Sequence, residues 1–139
     1  MSQTKHRIIT TGRRYQAKGT RSERLAKRTA DNIVFDSQIE MNHYLNLKTL
    51  LNAKKIRKLQ YHPIFTFVLK DPTGVEFEAG QYEADFAYIE TGTKALSVED
   101  VKAWEVHPRT GELRYITGGD YIWQKRLMRA CFGIEVVEV

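Results

Sequence analysis

At 139 residues and 16.2 kDa the chain has room for one domain, which excludes a large barrel or a doubly wound enzyme of ordinary size. With 42% hydrophobic and 28% charged residues it can bury a core, and no run approaches the roughly 18 to 20 apolar residues of a membrane span. The net charge of +5 is uneven: residues 1–30 carry nine basic side chains against Glu23 alone, a balance of +8, and the rest carry 13 basic against 16 acidic groups, −3.

A basic arm on a mildly acidic body suits a polyanion, because each cation placed near phosphate releases condensed counterions. DNA is the expected partner, with no membrane, and Arg13, Arg14, Lys18 and Arg21 are the expected nucleic-acid contacts; the alternative is a solvated tail. The single Cys131 forms no intramolecular disulfide and the four histidines lack zinc-site spacing, so a reducing, cytoplasmic setting is expected.

In chain order, residues 1–34 read as a flexible basic arm, with a short helical turn around Ser22 to Ala30, and 35–139 as the folded domain. DSQIEMNHYLNLKTLLNAKK places Ile39, Tyr44, Leu47, Leu50 and Leu51 at helical spacing, with Asp36 or Ser37 as N-cap. Ile56 and Leu59 lead into one strand, YHPIFTFVLK, stopped by the Asp71-Pro72-Thr73-Gly74 turn. VEFEAGQYEADFAYIE reads as a second strand, with Tyr82, Ala84, Phe86 and Tyr88 on one face. A turn at Thr91-Gly92-Thr93 returns the chain into a third, KALSVEDVKAWEV. LRYI extends the sheet or forms a small hairpin. DYIWQKRLMRACFG is a second helix with Trp123 expected in the core and Cys131 packed; IEVVEV is a last strand. The order implies an α/β or α+β fold, a mixed sheet flanked by helices.

A turn centred on Gly92-Thr93 sets Asp85 opposite Asp100. Opposed residues share a face, and like charges roughly 4.5 to 5.5 Å apart are destabilising, so a cation is expected between them. Asp100 and Lys102 share a face with Leu96, Val98 and Trp104, whereas Glu99 points the other way unless a β-bulge exchanges the two acids. An exposed ion pair is the plain alternative for Asp100 and Lys102. Glu40 falls in line with Tyr44, Leu47 and Leu51, facing the sheet; its alternative is a capping box with Ser37. Three carboxylates suit Mg²⁺ or Mn²⁺, which at a phosphodiester can activate water, with Lys102 orienting the nucleophile.

Glu40 on a first helix, Asp85 after an alternating strand, and Asp100-Val101-Lys102 resemble the core of the PD-(D/E)XK nuclease superfamily. The segments FDSQIEMNHYLNLKTL, LQYHP, YEADFAY and SVEDVKA are most similar to a small phage-associated branch, with a layout like that of transposon-end endonucleases and Holliday-junction resolvases. Ala84 stands where the name-giving proline would precede the aspartate. The resemblance implies a restriction-endonuclease-like core in which Asp85, Asp100 and Glu40 bind Mg²⁺ and Lys102 assists the water. It also implies metal-dependent hydrolysis of DNA in phage recombination, repair or processing, in the host cytoplasm, and a homodimer where two strands are cut. Gln124 and Lys125 occupy a place from which relatives reach the site or DNA, or else are solvated surface. Two other readings are a non-catalytic nucleic-acid-binding protein on a nuclease-like scaffold, and a metal-independent interaction module. His43 and His62 have no evident partner in sequence register.

Overall fold

Thr20 opens the first helix, α1 (Arg21–Ala26), through a capping box: its hydroxyl accepts the Glu23 N–H at 3.2 Å and the Glu23 carboxylate accepts the Thr20 N–H at 2.6 Å. The computed structural model describes residues 19–102, 104–115 and 119–139, with 104–106 and 113–115 described by backbone. β1 (Thr29–Ala30) and β2 (Ile33–Val34) follow as a tight hairpin whose loop residues, Asp31 and Asn32, both sit at positive φ, 48° and 62°. This is the mirror-image turn that matches strand twist and tolerates Asp and Asn. Residues 21–34 are therefore a helix and a hairpin rather than the end of an arm, and Ala30 and Ile33 pack on the core. Arg13, Arg14 and Lys18 lie outside the described residues.

α2 (Gln38–Asn52) is capped by Ser37, whose hydroxyl accepts the Glu40 N–H, and it buries Glu40, Tyr44 and Leu47 along one stripe. The expected first strand is two: β3 (Ile56–Tyr61) and β4 (Ile64–Lys70), in different sheets. Pro63 has no N–H to donate and His62 sits at φ 52°, so the ladder cannot continue through them. β5 (Glu76–Glu83) pairs with β4 across the Asp71–Gly74 turn, and a second break at Ala84-Asp85 starts β6 (Phe86–Glu90). Because of that break Tyr82 and Ala84 do not share a core with Phe86 and Tyr88, contrary to unbroken alternation. β7 (Leu96–Asp100) ends before a separate hairpin of β8 (Trp104–Val106) and β9 (Leu113–Tyr115), and α3 (Gly119–Phe132) and β10 (Val137–Glu138) complete the chain.

The main sheet has the order β10-β7-β6-β3, with β10 parallel to β7 and the other pairs antiparallel. Helices and strands together make up most of the described residues, so the α+β class read from the sequence is the one it adopts. Phe35, Tyr44, Leu47, Phe86 and Tyr88 fill the space between α2 and one sheet face. On the other face Ala87 and Val98 pack with Tyr121 and Met128 of α3 and with Phe67 and Tyr82 of the β4–β5 ribbon. Among the described residues no helix is long and apolar enough to cross a membrane.

Candidate functional site

The β6–β7 register is unbroken, pairing Phe86 with Glu99, Ala87 with Val98, Tyr88 with Ser97 and Ile89 with Leu96. One step further, Asp85 meets Asp100, and no bulge exchanges Asp100 for Glu99. The junction that carries Asp85 is pinned from beneath: the His62 N–H donates to the Asp85 carbonyl and the Ala84 N–H to that of Pro63, both at 3.0 Å. The C-terminal strand clamps the other acid, since the Lys102 N–H donates to Val139 at 2.9 Å and the Val139 N–H to the Asp100 carbonyl at 3.0 Å.

Asp85 is largely buried, and its carboxyl is pushed up to about 8, first by burial and then by the hydrogen bond and charge of Asp100. The Val101 N–H, donating to Asp85 Oδ2 at 2.6 Å, opposes this without cancelling it. Asp100 Oδ2 accepts the Tyr82 hydroxyl at 3.0 Å and lies 3.1 Å from the Lys102 ammonium. The Asp100 and Lys102 side chains are only 14% and 11% exposed, unlike the surface ion pair that was the plain alternative. Lys102 Nζ also lies 3.5 Å from the centroid of the Tyr121 ring, so the first turn of α3 forms one wall.

Glu40 reaches this group through a histidine. Its side chain does not turn back to close a capping box; Oε1 lies 2.8 Å from His62 Nε2, which is itself 3.9 Å from Asp85 Oδ1. Nδ1 of the same ring is 3.0 Å from Glu83. Burial raises the Glu40 carboxyl above its ordinary value, with His62 working the other way. Asp36, Glu40 and His62 present ligand atoms all within 4.8 Å of one another. The expected triad of Glu40, Asp85 and Asp100 is thus a close aspartate pair with Glu40 linked to it by His62.

Glu99 lies on the opposite sheet face, buried, accepting hydrogen bonds from Tyr88 and from His43 Nε2, both at 2.6 Å. Burial works against its charge, yet those two donors outweigh it and hold the carboxyl below its ordinary value. Both histidines that lacked evident partners are therefore partnered by acids. Lys125 pairs with Glu138 at 2.9 Å and Gln124 donates to the Gln81 carbonyl at 3.2 Å, so neither is a free surface group. Arg21 is exposed on α1 beside Arg24 and Arg28. Trp123, expected in the core, is 63% exposed: the buried stripe of α3 runs through Tyr121 and Met128, and a residue two positions on points about 200° away.

Two carboxylates in contact need either a shared proton or a cation, and their own oxygens suit a hard divalent ion. Asp85 and Asp100 could hold such an ion, with Glu40 and His62 beside them. No curated protein and no solved structure matches the chain. The family model described as "Protein of unknown function (DUF1064)" matches residues 21–113, more than half of the sequence, and the chain belongs to the DUF1064 family.

Proposed function

We propose that the chain is a divalent-metal-dependent DNA endonuclease. The observation that carries this reading is the partly buried Asp85–Asp100 pair with the Lys102 ammonium 3.1 Å from Asp100. A purely structural site gains nothing from opposing two carboxylates, because the pair costs more than the hydrophobic residues that would fill the same space. A bound Mg²⁺ or Mn²⁺ supplies Lewis-acid polarisation of a phosphoryl oxygen and a water acidic enough to attack at neutral pH. The protein's own part is to bring two anionic oxygens to one point and give up the Asp85 proton as the ion enters. Lys102, fixed between Asp100 and Tyr121, keeps a positive charge beside the group on which negative charge develops. The resemblance of Glu40, Asp85 and Asp100-Val101-Lys102 to the nuclease core, and the +8 balance of residues 1–30, support the same reading.

The test is incubation of the protein with supercoiled plasmid, single-stranded DNA and a four-way junction, with and without Mg²⁺ or Mn²⁺. Metal-dependent cleavage is expected, and Asp100→Ala and Lys102→Ala are expected to fold while losing it, by about 10²-fold or more for the lysine. Equal cleavage by both variants in clean preparations discards the enzyme. A non-catalytic nucleic-acid-binding protein is the second reading, favoured by the partners that Asp100 and Glu40 already have within the chain. It predicts DNA binding without cleavage under every metal condition.

A further inference from the structure

α3 begins in the candidate site, where the Tyr121 ring lies beneath the Lys102 ammonium, and then leads away from it along the surface. On its outer side Trp123 is 63% exposed, and one turn later the Arg126 guanidinium lies 5.0 Å from the indole centroid. Arg126 and Arg129 are exposed and, with Lys125, Glu135 and Val136, line a shallow cavity of about 230 Å³. Two of these cations have partners, Lys125 with Glu138 and Arg129 with Glu135, while among the described residues Arg126 pairs with no carboxylate. A large indole left 63% exposed beside a guanidinium adds little to its own chain's core. It does present a flat π-face next to a fork of N–H donors, which suits a base and the phosphate beside it.

We propose that the outward face of α3 docks nucleic acid, with Trp123 stacking on an unpaired base and Arg126 holding an adjoining phosphate. The Arg126 charge, with no carboxylate partner among the described residues, fits the polyanion, and the aromatic face selects the form: bases inside a duplex are already stacked, so only a splayed or single-stranded segment reaches the indole. The substrate class is therefore DNA with an unpaired stretch next to the cut. The inference deepens the endonuclease reading and rests on it, since the first turn of α3 lies at Lys102 while Trp123 stands on the outer side of the same helix.

The test measures binding without cleavage, by fluorescence anisotropy in EDTA, using a labelled oligothymidylate and a blunt duplex with the full chain. Trp123→Ala is expected to weaken oligothymidylate binding about tenfold, or about 1.4 kcal/mol, with little change on the duplex. Trp123→Phe, which keeps a stacking face, is expected to recover most of the loss. Arg126→Ala is expected to flatten the slope of log K against log salt on the single strand by about 0.7. The proposal is overturned if the wild type binds neither probe, if Trp123→Ala and Arg126→Ala bind as the wild type does, or if Trp123→Ala loses equally on both probes. A dimer in sedimentation that Trp123→Ala dissolves overturns it too, assigning the face to a second copy of the chain. Trp123-dependent binding with no cleavage in Mg²⁺ sinks the endonuclease reading alone; cleavage with Trp123-independent binding sinks this inference alone.

Discussion

Asp85 faces Asp100 at the end of the β6–β7 register, and burial together with that neighbour keeps the Asp85 carboxyl protonated up to about pH 8. In the unfolded chain an aspartate titrates near 3.9. Between about pH 4 and about pH 8 the native state therefore binds more protons than the unfolded one, and stability falls as pH rises. The contribution is whole below about pH 4 and is lost as pH passes about 8. Urea unfolding at about pH 5 and about pH 8 in EDTA measures it, and Asp85→Asn, which cannot ionise, is expected to flatten the difference. A variant whose stability falls with pH as steeply as the wild type removes Asp85 as the cause.

On the proposed metal-dependent reading, the same proton links pH to metal. A divalent ion entering between the two carboxylates must displace it, so apparent Mg²⁺ affinity is expected to rise up to about tenfold per pH unit below about pH 8. The rise in melting temperature on adding Mg²⁺ should accordingly be larger at about pH 8 than at about pH 6. Asp85→Asn and Asp100→Asn should each abolish most of that rise. Equal Mg²⁺ stabilisation at both pH values means that the ion, if it binds, does so elsewhere.

Glu99 and Asp100 are adjacent in sequence and opposite in role. Glu99 satisfies the Tyr88 hydroxyl and the His43 ring inside the core beneath α2. Glu99→Ala strands both donors and is expected to cost about 2 to 4 kcal/mol of stability while leaving Mg²⁺ affinity near that of the wild type. Asp100→Ala should instead lose Mg²⁺ affinity, with the loss of its contacts to the Tyr82 hydroxyl and the Lys102 ammonium set against the relief of Asp85. Denaturant melts paired with Mg²⁺ titration separate the two acids; a Glu99→Ala protein that is as stable as the wild type contradicts the assignment.

The part of this site carried by one turn and one periodicity was legible in the sequence. Gly92-Thr93 fixed the hairpin register, and a period of two then put Asp85, Asp100 and Lys102 on one face and Glu99 on the other. Glu40 was legible for the same reason, from its place in the stripe of Tyr44 and Leu47. What failed depends on breaks and on long-range company. Strands of two residues, Thr29–Ala30 and Ile33–Val34, carry no alternation, so only the Asp31-Asn32 pair signalled their turn. The exposure of Trp123 was set by which neighbour α3 buried first, Tyr121 rather than Ile122, and helical spacing alone does not decide that. His62 sits where the first strand stops, and its acid partners come from α2 and β5, so no local spacing announces them.

His62 is the residue by which Glu40 belongs to the site. Its ring lies between Glu40, Glu83 and Asp85, so it fixes where the buried Glu40 carboxylate points, at the cost of a backbone held at φ 52°. Partners that orient a ligand of this kind are worth about 10- to 100-fold in metal affinity, and removal of His62 should show a loss in that range. His62→Ala confounds this with backbone strain, because alanine is disfavoured in the left-handed region by about 1 to 2 kcal/mol. Asparagine tolerates that region, so His62→Asn isolates the ring's effect on Glu40. Both variants should bind Mg²⁺ at least about tenfold more weakly, with His62→Asn the more stable of the two. Calorimetric titration checks the first expectation and thermal melts the second. If His62→Asn binds Mg²⁺ as tightly as the wild type, Glu40 lies outside the metal shell and the ion is held by the two aspartates alone.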